Sequence, residues 1–163
     1  MDSEYKIYLS RAQNEFNLSM MIQKISDDER LQVEIFGMKA DTYYSATIAH
    51  AYYSIFYAAK AYLLLKGIKT QAPEEHKKTY EAFSKLVRNG VVDVELLRIY
   101  RNMLIKADTL LHIFKWEKGK RGRFTYKRIP QANQEPAQES VRNSKIFFNS
   151  LYRLCEDLTR RGQ

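Results

Sequence analysis

From Tyr43 to Lys66 the chain reads YYSATIAHAYYSIFYAAKAYLLLK, a run broken only by His50, Lys60 and small hydroxyl residues. It contains no Gly or Pro, is too long for a strand and is apolar on nearly every side. That pattern predicts a central helix buried almost all round. Its alanines allow close backbone approach. Its tyrosines, six of the twelve in the chain, carry hydroxyls that need partners once buried.

The flanking segments show the three-to-four-residue spacing of helices with one buried face. Tyr5, Tyr8/Leu9, Ala12, Phe16 and Met20 form such a stripe over about 3–25. Ser26 to Glu29 has capping-box spacing and predicts a short helix through Ile35 before Gly37. Asp41 or Thr42 is the expected cap of the aromatic helix and Gly67 its end. Pro73, Glu74 and Glu75 suit a first turn and Asn89-Gly90 its end, with Tyr80, Phe83 and Val87 inward. Leu96, Ile99, Tyr100, Met103, Ala107, Leu110, Leu111 and Phe114 line one side of a helix over about 93–116. Val141, Phe147/Phe148, Leu151, Leu154/Cys155 and Leu158 do the same over about 137–160. The prediction is an all-α, antiparallel up-and-down bundle of about five main helices, forming one domain over residues 1–163.

On the 93–116 helix, Arg98, Arg101, Asn102, Asp108, Thr109 and His112 fall within an arc of about 120° opposite the apolar side. Guanidinium, amide, carboxylate and imidazole together can bind phosphate and move a proton. The same pattern also describes a solvated helix face whose charges pair with one another.

Composition narrows the classes. At 163 residues the chain can bury a core without disulfides. The single Cys155, set in an apolar pattern, reads as a packed residue and excludes an internal disulfide. The acidic and polar start MDSEYK lacks the basic and apolar regions expected of a signal peptide, and the charged interruptions argue against a membrane span. A soluble cytoplasmic protein is expected. The net charge of +8 is local: from Lys115 to Arg128, seven Lys or Arg face Glu117 alone, leaving only +2 elsewhere.

The segment Ala49–Gly67, AHAYYSIFYAAKAYLLLKG, resembles the central helix of HEPN-domain proteins, the higher eukaryote and prokaryote nucleotide-binding family. It is especially similar to compact stand-alone prokaryotic and archaeal members. The likeness continues through EHKKTYEAF, Glu75–Phe83, and RNMLIKAD, Arg101–Asp108. The resemblance implies a helical homodimer. In catalytic members, an arginine followed by a polar residue and a histidine five to seven positions beyond it cut RNA without metal across the dimer.

Arg101-Asn102 matches the first half of that motif, but positions 106 to 108 hold Lys106, Ala107 and Asp108. His112 lies eleven residues after Arg101, about 16 Å along the helix. Lys106 is a poor substitute base because an ammonium is charged at neutral pH unless strongly desolvated. Arg101, Asn102, Lys106 and His112 therefore remain only catalytic candidates, and the substitution argues against standard HEPN ribonuclease activity.

The connector from Lys115 to Pro136 has no helical apolar spacing. Within RGRFTYKRI, Phe124 and Tyr126 alternate with charge, which suits an extended strand or hairpin. Lys118, Lys120, Arg121, Arg123, Phe124, Tyr126, Lys127 and Arg128 join Arg98, Arg101 and Asn102 as candidate RNA or ligand contacts, by phosphate attraction and base stacking. A solvated flap pinned by its aromatics fits the same pattern.

His50 reads as a satisfied core or interface residue, and His76, among charged neighbours, as a surface residue. No metal site, cofactor or P-loop is expected. The functional expectation is a homodimeric HEPN-like protein binding a protein partner, nucleotide or RNA. Its alternatives are a metal-independent ribonuclease toxin paired with a minimal nucleotidyltransferase antitoxin, as the resemblance implies, and a purely structural dimer.

Overall fold

The computed structural model describes residues 4–39, 42–111 and 134–161. They form six helices and no strand: α1 (Glu4–Asp27), α2 (Glu29–Phe36), α3 (Tyr44–Leu65), α4 (Glu75–Arg88), α5 (Val94–Leu111) and α6 (Gln134–Arg161). The bundle is all-α as the spacing predicts, the short α2 being the sixth element. None of these helices is long and apolar enough to cross a membrane.

The aromatic helix α3 is the axis, touching α1, α4, α5 and α6. Ala51, Tyr52, Ile55, Ala58, Ala59, Ala61 and Leu63 are all inaccessible to solvent, as a helix apolar on most sides requires. Cross-contacts fix the directions. Tyr44 reaches Asp27 while Tyr57 stacks on Tyr8, so α1 and α3 run antiparallel. Tyr5 meets Thr159, so α1 opposes α6 as well.

Local chemistry sets the ends. Gly67 adopts a left-handed conformation (φ +74°). Its N–H reaches Leu64 O at 2.9 Å, and that of Ile68 reaches Leu63 O at 2.8 Å, the paired bonds that stop a helix. Gly90 closes α4 in the same way.

Four details differ from the sequence reading. Asp28 rather than Ser26 caps α2, its carboxylate accepting from the Arg30 and Leu31 N–H groups. Ser26 remains inside α1 and its hydroxyl accepts the Tyr43 N–H. The N-cap position of α3 is Tyr43 rather than Asp41 or Thr42, and the Tyr43 side chain makes no cap bond. Met20 is exposed while Ser19 is buried, because the α1 stripe steps by three from Phe16 and its small hydroxyl folds back onto Phe16 O at 2.7 Å. Finally, α6 begins at Gln134, inside the expected connector. Pro136 is compatible with a helix first turn, where its missing N–H costs nothing. The predicted strand or hairpin over 121–129 lies wholly outside the described residues.

Candidate functional site

The polar face of α5 divides into two flanks that approach different neighbours. Taking Arg98 as origin, Asn102 and Lys106 rotate about 40° and 80° to one side, Arg101 and Asp108 about 60° and 80° to the other. The first flank meets α6. Lys106 Nζ donates to Glu139 Oε2 at 2.5 Å. That bond holds the Glu139 carboxyl below its usual range, and Arg142 and Arg98 add to the effect. Arg98 is engaged at its base, where Nε donates to Glu95 Oε2 at 2.7 Å.

Arg101 is different. Its side chain is exposed and has no salt-bridge partner among the described residues. Asn102 is half-buried beside it. Arg101 is thus an exposed α5 guanidinium, while Lys106 is ion-paired with a protein carboxylate.

The second flank of α5 faces α3 and α4. Asp108 contributes negative charge at the Tyr52 hydroxyl, whose proton is held far more firmly than usual, mainly by burial, with Tyr53 and Asp108 adding to it. That hydroxyl lies 2.8 Å from Nδ1 of His76. The expectation of a surface His76 is corrected here: the ring is half-buried, stacked on Phe56 at 4.1 Å and on Tyr52 at 5.7 Å. Burial and the nearby Lys60 ammonium lower its pKa to about 4, so the imidazole is neutral at pH 7. Lys60 is itself nearly buried, ion-paired with Glu75 and seated 4.5 Å above the Tyr8 ring. A signal for His76 was present in the sequence: the inward stripe Tyr80, Phe83, Val87 extended back one turn lands on position 76.

Other candidates resolve simply. His50 Nδ1 pairs with Glu15 at 2.6 Å, joining α3 to α1. Cys155 is buried, its thiol pushed up to about 12 mainly by burial, which suits a packed residue. No three His, Cys, Asp or Glu side chains gather into a metal-binding group among the described residues. His112 and the connector residues Lys118, Lys120, Arg121, Arg123, Phe124, Tyr126, Lys127 and Arg128 lie outside the described residues.

With this arrangement in place, comparison with known proteins decides the family. The HEPN domain profile matches residues 37–154, most of the chain. The chain belongs to the HEPN family. It is also similar to a UPF0332 protein of Thermotoga maritima, 27% identical over 124 residues that cover 76% of this chain and 80% of the relative. Within the HEPN match fall α3, α4, α5 and both flanks of the α5 face, with Lys106, Ala107 and Asp108 among them.

Proposed function

We propose that this chain is a homodimeric HEPN module that binds RNA through the Arg98, Arg101 and Asn102 side of α5 and the basic connector, without the standard HEPN cleavage. One observation carries the reading: Lys106, at the first motif position open to a histidine, is bonded to Glu139, whereas Arg101 is exposed and unpaired among the described residues. The Lys106 amine is already engaged as a hydrogen-bond donor to Glu139 at 2.5 Å, whereas the exposed Arg101 guanidinium can still hold a phosphate. The minimal nucleotidyltransferase implied by the resemblance is the protein partner this reading carries.

The test is RNA binding followed by fluorescence anisotropy across a salt series, with cleavage read on the same samples. Binding is expected to weaken steeply with salt and to weaken again in Arg101→Ala, with no cleavage product. Cleavage by the purified protein that Arg101→Ala abolishes would overturn the reading in favour of the ribonuclease. Absence of binding at low salt would overturn it in favour of a structural dimer. Sedimentation at micromolar concentration is expected to give a dimer, and a monomer would remove that part.

A further inference from the structure

The α3–α4 side of the α5 face holds polar groups that an exposed arginine alone does not explain. His76 spends Nδ1 on Tyr52, while Nε2 has no partner among the described residues and is not enclosed. Tyr80, one turn on from His76 along α4, is half-buried and meets the Tyr100 ring edge-on at 5.3 Å. Behind it the Tyr100 hydroxyl is fully buried with no hydrogen-bond partner. Tyr53, half-buried on α3, stands edge-on to His76 at 6.0 Å. These side chains make an aromatic cluster whose one imidazole nitrogen without a partner among the described residues is not fully buried.

We propose that this cluster is a ribose-reading subsite of the RNA site, in which His76 Nε2 hydrogen-bonds a 2′-hydroxyl and Tyr53 offers a face to the neighbouring base. The proposal rests on the RNA-binding reading and adds what that reading lacks, a way of telling RNA from DNA. An uncharged imidazole beside the Lys60–Glu75 pair is poorly suited to a phosphate but well suited to a neutral hydroxyl. Arg101 supplies the phosphate contact from the flank of α5 that also carries Asp108, whose charge reaches Tyr52. A ribonucleotide chain presents both groups along one backbone, and the 2′-hydroxyl is the atom that distinguishes it from DNA. Tyr52 is a positioning residue, holding the ring through Nδ1 and leaving Nε2 for a ligand.

The experiment compares affinity for a single-stranded oligoribonucleotide and the oligodeoxyribonucleotide of matching sequence. The expected RNA preference is about tenfold, the value of one well-placed hydrogen bond. It should fall towards one in His76→Ala and in Tyr52→Phe, while Arg101→Ala weakens RNA and DNA together and keeps the ratio. Imidazole ¹⁵N resonances of His76 provide a readout in the intact chain: RNA should shift Nε2 and the matched DNA should not. An unchanged ratio in both variants, or a His76 resonance unmoved at RNA saturation, overturns the subsite. RNA binding that is absent, or insensitive to Arg101→Ala, overturns the underlying function instead.

Discussion

The hydroxyl of Tyr52 and Nδ1 of His76 meet at 2.8 Å inside the aromatic wall between α3 and α4. An ordinary histidine titrates near 6.5, and burial followed by the Lys60 charge brings His76 to about 4. Between those values the unfolded chain binds a proton that the folded chain refuses. The stability contributed by neutral His76 is therefore complete above about pH 6.5 and is lost as pH falls towards 4. The unscreened shift corresponds to about 3 kcal/mol. A ring that is only half-buried should realise about 1–2 kcal/mol after solvent screening. Urea midpoints at pH 7 and 4.5 should fall further for the wild type than for His76→Gln by that amount, and equal falls would show that His76 is not held neutral.

The fold was legible because the apolar spacing of each helix survives packing nearly unchanged. Tyr5, Leu9, Ala12 and Phe16 are buried on α1, and Leu96, Ile99, Tyr100, Met103 and Ala107 on α5. Arg101 entered as a candidate through the HEPN resemblance, and the structure leaves it exposed. The partition of the α5 face was not legible, because it depends on Glu139, 33 residues beyond Lys106, and on Tyr52 of a different helix. His76 was hidden by its charged sequence neighbours, although helical geometry carries them to different faces from the imidazole. Where charge and apolar spacing disagreed at one position, the spacing gave the burial.

Glu139 is acted on by Lys106 first, and by Arg142 and Arg98. If the α5 face binds RNA, this carboxylate opposes it, and Glu139→Gln should release Lys106 towards phosphate. Affinity at about 50 mM salt is expected to rise about threefold to tenfold, with the slope of log affinity against log salt steeper by about one. Folding stability should change by less than about 1 kcal/mol, because the pair is partly exposed. Unchanged affinity and slope would place RNA elsewhere. The same variant bears on catalysis, since the absence of cleavage with Lys106 released would exclude the ion pair as the brake on that activity.

Cys155 should be chemically silent in the folded protein. Its side chain is buried and its thiol pushed up to about 12, first by burial and then by Glu156. A thiol-reactive chromogenic disulfide at pH 8 should give no rapid signal from native protein and one equivalent after urea unfolding. Rapid reaction of the native protein would mean that the α1–α6 seam opens readily.

Two buried tyrosines should respond oppositely to loss of the hydroxyl. Tyr52→Phe removes the partner of His76 Nδ1, leaving a nitrogen unsatisfied in an aromatic setting. The expected cost is about 1–2 kcal/mol. Tyr100 is as deeply buried, packed among Tyr52, Tyr80, Phe83 and Phe147, yet its hydroxyl has no hydrogen-bond partner among the described residues. Tyr100→Phe keeps the ring contacts and removes a desolvated polar atom, so stability should stay level or rise by up to about 1 kcal/mol. Denaturant unfolding of the two variants beside wild type measures the contrast directly. A substantial loss in Tyr100→Phe would show that its hydroxyl is satisfied in solution, with bound water the natural candidate in so small a space.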